Sequence, residues 1–351
     1  MKKLNLAIAG TWHVHLPMFL NRTDEVYGDN IDWLYVYDKN KERALPFCER
    51  LNASFAPDLD TILKDPAVDA VICESETCDH RDIIVRTVQA GKHIFTDKTL
   101  ALNTEDALVI RDAVEKAGVK FIVSHEVIPV SSYQYVKKLI DAGAIGDIVS
   151  LHFRRAHGGA KPPSPNAKFK LKLPDDWFSP EIAGGGSLID LGIHGVALLA
   201  YLAGRPKNIS AFTHNYTGHE TEDSATIMVG FESGAIGTAH TDMVTSLMEN
   251  NFEILGTEGI ITVQGNEGHE TVAINSKSKP ESDSKMIIVP PEEYRTEPIS
   301  PLCKFIDFVM DESDRNQYVD GLDVESGITV VRMVEAAYES ASTGRAVSFE
   351  K

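Results

Sequence analysis

The sequence predicts an α/β N-terminal domain on a doubly wound parallel sheet, followed by an α+β domain with a large, open, mostly antiparallel sheet. Three observations carry this. Over the first ~120 residues, short apolar runs alternate with amphipathic segments, as in a parallel sheet covered by helices. After Ser124 the pattern changes to longer alternating strands joined by Gly-containing turns such as Glu232-Ser233-Gly234. The 351 residues suffice for two domains of roughly 100–200 residues each. The expected division is 1–123 and 124–351.

Each element has a local reason. Leu4–Ala9 is the first strand and ends at Gly10; Trp33–Tyr37 is the second and ends at Asp38, before a helix over Lys41–Leu51. Asp58–Leu63 reads as a short helix, Asp65-Pro66 as a breaker and Ala70–Cys73 as an apolar strand. Asp79–Ala90 is helical and stops at Gly91, His93–Phe95 is a strand, Thr104–Ala117 is a helix stopped by Gly118, and Lys120–Val123 is a strand. In the second half Tyr133–Ala142 is a helix ending at Gly143. Strands are expected over Ile148–Phe153, Thr226–Phe231, Ala235–Thr241, Asn251–Leu255, Ile260–Gln264 and Val272–Ile274. A helix near Leu188–Leu202 interrupts them, and the chain finishes with Lys304–Met310 and a helix over Val324–Thr343.

Composition excludes several functions. A net charge of −18 argues against nucleic acid, whose phosphates need a basic surface, and against anionic lipid. Cys48, Cys73, Cys78 and Cys303 form no C-x-x-C pair, so neither a disulfide framework nor a structural zinc site is expected. The run Leu4–Ala9 is too short for a signal peptide, and no stretch approaches a membrane span; a cytoplasmic protein is expected. The segment Gly158–Ile182 is rich in Pro and Lys, the composition of a lid over an anionic ligand or of a solvated loop.

Ligands in a doubly wound sheet bind beyond the carboxyl ends of its strands. There the turn Gly10-Thr11-Trp12-His13-Val14-His15 opens a helix whose N-terminal amides suit a pyrophosphate. It keeps only the first glycine of G-x-G-x-x-G, because Trp12 and His15 take the other two places. Asp38, at the end of the second strand, is placed to accept hydrogen bonds from a ribose diol, which favours NAD; Lys39 beside it leaves room for NADP. Lys98 follows the strand His93–Phe95, where an ammonium can polarise a carbonyl or hydroxyl oxygen. Asp190 and His194, four apart after Gly184-Gly185-Gly186, share a helical face among apolar neighbours, an arrangement suited to general acid–base work.

With these residues in view, the chain resembles the glucose-fructose oxidoreductase / inositol dehydrogenase / rhizopine-catabolism family. The likeness runs over nearly the whole length: Asp69–Thr96 with His80 and Gly91-Lys92-His93; Asp97-Lys98-Thr99 at the family's Glu-Lys-Pro; Lys137–Ile148; and Trp177–His194 at its G-G-G-x-L-x-D-x-G-x-H segment. Further landmarks are Glu222-Asp223, Phe231–Gly237, Gly256–Gly259 and Ala337–Val347. The resemblance implies a Rossmann domain holding NAD or NADP near Gly10, Thr11, Trp12, His13, Asp38, Ser75, His80 and Lys98. It implies catalysis by Lys98, Asp190 and His194 on a sugar, inositol or related polyol. It also implies a homodimer or homotetramer formed through the second sheet. Two departures stand out: Thr99 replaces a proline, and Glu74-Ser75-Glu76 replaces the family's Thr-Pro-Asn.

Two other readings stay open. The altered Trp12 and Glu74 regions suit a non-catalytic sugar- or nucleotide-binding regulator. His13, His15 and His80, with Glu74 or Glu76, sit on neighbouring strand-end loops from which metal-assisted lyase or hydrolase chemistry is conceivable. The i, i+2 histidine spacing is not that of helical zinc ligands, and no metal ligand is assigned.

Overall fold

In a computed structural model the described residues are 3–161, 173–245, 249–266, 268–277, 285–296, 300–311 and 320–349. The first domain alternates strands and helices: β1 (Leu4–Ala9), α1 (Leu16–Tyr27), β2 (Ile31–Tyr37), α2 (Lys41–Leu51), β3 (Ser54–Ala56), α3 (Leu59–Leu63), β4 (Ala70–Cys73), α4 (His80–Gln89), β5 (His93–Thr96), α5 (Thr104–Ala117) and β6 (Phe121–Val123). The six strands pair in parallel in the order 3-2-1-4-5-6, so the strand order reverses beside β1 and opens a crevice there. Caps explain the sharp helix limits. Asn103 accepts the Asp106 amide at the start of α5, and Gly118 closes it at φ +63°.

The second part begins with α6 (Ser131–Asp141) and β7 (Ile148–Ala156). After a π turn at Leu188–Gly192 come α7 (Ile193–Ala203), β8 (Pro206–His214), β9 (Ser224–Phe231), β10 (Ile236–Asp242), β11 (Glu249–Gly256), β12 (Gly259–Gln264), β13 (Thr271–Ser276), β14 (Ile287–Ile288), α8 (Pro291–Tyr294), α9 (Pro301–Met310), α10 (Val324–Thr343) and β15 (Val347–Ser348). Nine strands form one sheet in the order 14-13-12-11-7-10-9-8-15, antiparallel except where β7 meets β10. Its core face carries Leu151, Phe153, Ile209, Ile227, Val229, Phe252 and Ile254, all buried, against the apolar helix α7. A strand over Pro206–His214 was not expected: Pro206, Ile209 and Ala211 are buried at uneven spacing and Phe212 lies outward, which masks the alternation.

The two domains are not separate in sequence. Helix α9 returns to the first sheet, where Phe305 meets Phe95 of β5 at 5.9 Å between ring centroids, and Phe95 meets Phe19 of α1 at 5.6 Å. Lys120 donates to the Asp311 carbonyl at 2.6 Å, and the Val123 amide donates to the Leu322 carbonyl at 2.9 Å. The strands of the first sheet end at Val123, while 301–311 and 320–343 clasp both parts. Truncating Phe305, which is fully buried, is expected to remove about 3–5 kcal/mol of stability. Amide exchange in β5 and β6, far away in sequence, should accelerate with it; a loss confined to α9 would show that the clasp is not there.

Candidate active site

The carboxyl ends of β1, β4, β5 and β6 bring four loops together: Gly10–His15, Glu74–Thr77, Asp97–Leu100 and Ser124–Glu126. Gly10 has φ +87°, and a Cβ on it would lie 2.3 Å from the Ser75 Cα, so only glycine lets these two loops touch. The amides that follow are engaged inside the protein. Thr11 gives its N–H and its hydroxyl to Asp38 Oδ2, each at 2.8 Å. Trp12 and His13 both donate to the Glu74 carbonyl, at 2.9 and 3.1 Å, and the His15 amide donates to His13 Nδ1 at 3.3 Å.

Asp38 lines the small cavity beside Gly10 and is also a buried anchor. Besides Thr11 it accepts from the Asn40 amide at 2.7 Å and from Arg43 Nη2 at 2.8 Å. Arg43 also reaches Glu76 at 2.7 Å, and Lys39 pairs with Asp79 at 2.9 Å. Ser75 lies buried under Gly10. His80 reaches the Thr99 carbonyl through Nδ1 at 2.8 Å and the Ser75 carbonyl through Nε2 at 3.2 Å, tying the β4 loop to the β5 loop. Beyond Gly10, Asp38, Lys39, Ser75 and Arg86 a cavity of about 150 Å³ remains.

The second domain roofs this crevice. Trp12 stacks on Trp177 with centroids 4.5 Å apart and planes 18° from parallel, and its Nε1 donates to Asp176 Oδ1 at 2.7 Å. Ala183, Val14, Leu173, Phe178 and Ile182 close around the pair. The described end of the Pro- and Lys-rich segment is thus an apolar roof; Pro162, Pro163, Pro165, Lys168, Lys170 and Lys172 lie outside the described residues.

Beneath the roof Lys98 is buried and donates to the carbonyl of Asp190 at 2.9 Å and to its carboxylate Oδ1. Burial opposes ionisation of Asp190, yet the Lys98 ammonium draws its carboxyl down to about 2. The peptide between Lys98 and Thr99 is cis. Trp12, His13, Trp177, Gly185 and this ion pair enclose a cavity of only about 20 Å³. Asp190 and His194 are not the side-by-side pair their spacing suggests. Asp190 lies in the π turn and turns to Lys98; His194 lies in α7 with Nε2 3.7 Å from Glu126 Oε2 and Nδ1 unpartnered. Burial, with the charges of Arg155 and Lys98, holds the His194 imidazole neutral, well below its ordinary range.

Two of the three glycines before Asp190 are also pressed against protein atoms. A Cβ on Gly185 would lie 2.0 Å from the Tyr338 hydroxyl, and one on Gly186 would lie 1.8 Å from the Glu222 carbonyl oxygen. Glu222 in turn accepts from the amides of Gly186 and Leu188, at 3.1 and 2.8 Å.

Sequence reasoning passed over Glu126, Trp177 as a stacking partner, and Asp97 as a hub. Asp97 is fully buried, with Oδ2 2.7 Å from His13 Nδ1 and 3.0 Å from His15 Nδ1; His15 Nδ1 also lies 3.1 Å from Glu126 Oε1. Burial pushes His13 down to about 4; His15 is raised, because Glu126 and Asp97 outweigh its burial. Glu74, wholly buried, is raised well above the carboxylate range by burial and by the charges of Asp97 and Glu126. Of the histidines weighed from sequence as metal ligands, His13 and His15 converge, whereas His80 is tied to two carbonyls and Glu76 to Arg43. The i, i+2 pair on a strand-end turn was the available signal.

A parallel 3-2-1-4-5-6 sheet, a crevice at its switch point and a buried lysine at the mouth of β5 define a Rossmann-type oxidoreductase architecture. Residues 4–125 match the oxidoreductase family with an NAD-binding Rossmann fold, and residues 133–262 match the GFO/IDH/MocA C-terminal domain. The chain belongs to this family of NAD(P)-dependent oxidoreductases. It is 28% identical over 241 residues to 1,5-anhydro-D-fructose reductase of Ensifer adhaerens, covering 68% of this chain and 69% of the relative. It is 24% identical over 346 residues to myo-inositol 2-dehydrogenase of Thermotoga maritima, covering 95% and 97%. Levoglucosan dehydrogenase in complex with NADH and levoglucosan superposes with a TM-score of 0.82 at 21% identity, covering 100% of both chains; that likeness speaks to fold. Among the described residues no helix is long and apolar enough to cross a membrane.

The family's dinucleotide meets a fold that fits and a loop that does not. The sheet and the cavity near Lys39 suit an adenosine, but the Thr11, Trp12 and His13 amides have partners already, and Trp12 fills the space between the lobes. With the second glycine restored in Trp12→Gly, NADH is expected to bind at least about tenfold more tightly, a gain of about 1.4 kcal/mol. Equilibrium titration checks this; equal affinity in both proteins would show that the indole is no obstacle.

Proposed function

We propose that this chain interconverts a secondary alcohol and a ketone on a sugar, inositol or related polyol, with NAD favoured over NADP. The observation that carries the reading is the buried Lys98–Asp190 pair at the mouth of β5, on the frame of a dehydrogenase family. Relatives named as acting on inositols and anhydro sugars point to a hydroxyl-bearing ring. The preference for NAD rests on Lys39 and Arg86, the cations beside the small cavity, which are both ion-paired and so poor partners for a 2′-phosphate.

A nicotinamide held in the crevice would supply or accept the hydride, while the protein handles the oxygen and its proton. Lys98, aimed by Asp190, offers an N–H to the substrate oxygen and stabilises negative charge as it develops there. His194, neutral and with Nδ1 unpartnered, is the group that takes or returns the hydroxyl proton. Asp190 fixes the ammonium and does not touch the imidazole. The crevice is shut by Trp12 on Trp177, so ligands are admitted only when the Trp12–His13 segment leaves the Glu74 carbonyl.

The outer face of the nine-stranded sheet supports self-association. Phe212, Met228, Ile236 and Ile288 lie on it with 79%, 52%, 51% and 66% of their surface exposed, more apolar surface than a lone sheet face usually leaves in water.

Lys98→Met is expected to lower NAD(P)-linked turnover of a responsive polyol roughly 10²–10³-fold, with NADH binding kept. Steady-state kinetics on a panel of inositols and anhydro sugars checks it; undiminished turnover would remove Lys98 from the chemistry, and no turnover by the unaltered protein on any polyol would remove the proposal. Phe212→Glu is expected to shift the assembly toward monomer in light scattering, an outcome that a monomeric parent protein would rule out.

A further inference from the structure

We propose that His13, His15 and Asp97, joined by Glu126, form a binding site for one divalent first-row transition-metal ion at the carboxyl edge of the parallel sheet. His13 and His15 were weighed from the sequence as metal donors with His80, Glu74 and Glu76, whereas Asp97 and Glu126 were not. His194 borders both this site and the proposed proton transfer, and the test below reads metal binding, which does not depend on turnover.

The spacing of donor atoms is the first argument. One atom each from His13, His15 and Asp97 lies within 4.8 Å of the others. The individual separations are 2.7 Å for His13 Nδ1 to Asp97 Oδ2, 3.0 Å for His15 Nδ1 to the same oxygen, and 3.1 Å for His15 Nδ1 to Glu126 Oε1. Ligands held about 2.1 Å from one ion stand about 3.0 Å apart at right angles and about 3.4 Å apart at the tetrahedral angle. The observed values therefore match the edges of a coordination polyhedron after small side-chain rotations.

Protons alone satisfy this cluster poorly. His13 Nδ1 stands 2.7 Å and His15 Nδ1 3.0 Å from the same oxygen of Asp97, so two imidazole nitrogens converge on one buried carboxylate oxygen. His15 Nδ1 faces two carboxylates at once and has at most one proton to share. The other oxygen of Asp97 is engaged by the Lys98 amide at 2.7 Å, and the Lys98 ammonium is committed to Asp190.

Unpartnered buried atoms point to the same place. Neither carboxylate oxygen of Glu74 has a partner, although the side chain is fully buried among Asp97 and Glu126, and Nδ1 of His194, on the ring that faces Glu126, is also without one. Groups like these are rarely left unsatisfied in a protein interior unless an ion or ordered water serves them. Two imidazoles with two carboxylates suit zinc, manganese, iron or cobalt, and are too rich in nitrogen for magnesium or calcium. Glu74 and His194 stand as outer partners.

The full-length protein, stripped with chelator, is titrated with Co²⁺ and Zn²⁺ by calorimetry, and the Co²⁺ form is read by visible absorption. One ion per chain is expected, with a ligand-field spectrum typical of nitrogen and oxygen donors. His15→Ala, at the least buried ligand, and the isosteric Asp97→Asn are each expected to weaken binding at least about 100-fold, beyond the roughly 10- to 100-fold usual for an outer partner. Cys78→Ser, an exposed thiol away from the cluster, should leave it unchanged. No saturable binding to the unaltered protein would overturn the site, as would full binding retained in His15→Ala. If Asp97→Asn fails to fold by circular dichroism, His15→Ala decides alone.

Discussion

The structure turns on a buried knot of charge around Asp97. A fully buried carboxylate is tolerable only with compensating partners, and here they come from the β1 loop as His13 and His15 and from the β5 backbone as the Lys98 amide. This one side chain therefore fixes how the loops after β1 and β5 meet across the end of β4, which lies between them. The Gly10 contact with Ser75, the Trp12 and His13 amides on the Glu74 carbonyl and the bridge from His80 to Thr99 all run through the same few residues. Move one loop and the others lose partners.

That interlock explains why the strand-end turn serves the protein itself. In a dinucleotide-binding turn the amides after the first glycine point at phosphate; here they point at Glu74 and Asp38, and the position of the second glycine carries an indole that stacks across the lobes on Trp177. Lys98 and Asp190 lie beneath that roof, bonded to one another. The oxidoreductase frame is intact while its mouth is closed by hydrophobic and hydrogen-bonded contacts.

Much of this was legible in the sequence because it depends on local rules. Apolar runs ended by Gly or Asp gave the parallel strands, Gly118 marked the end of α5, and the helices over Thr104–Ala117 and Val324–Thr343 were placed to the residue. Lys98 was placed by its position after β5. What stayed hidden depends on side chains meeting over long distances. No periodicity says that Glu126 faces His194, or that Asp38 accepts the Thr11 amide. The π turn at Leu188–Gly192 rotated Asp190 away from the neighbour that an α-helical spacing assigns to it. Phe212 hid β8 by pointing outward.

The account stands most directly on the closed turn giving way when cofactor binds. A crystal structure of the protein grown with saturating NADH measures this. The expected result is a dinucleotide along the Gly10–Ser75 edge, with the Trp12 ring lifted off Trp177 and the Glu74 carbonyl released by both amides. A dinucleotide bound with those contacts intact, or none bound at all, would contradict it.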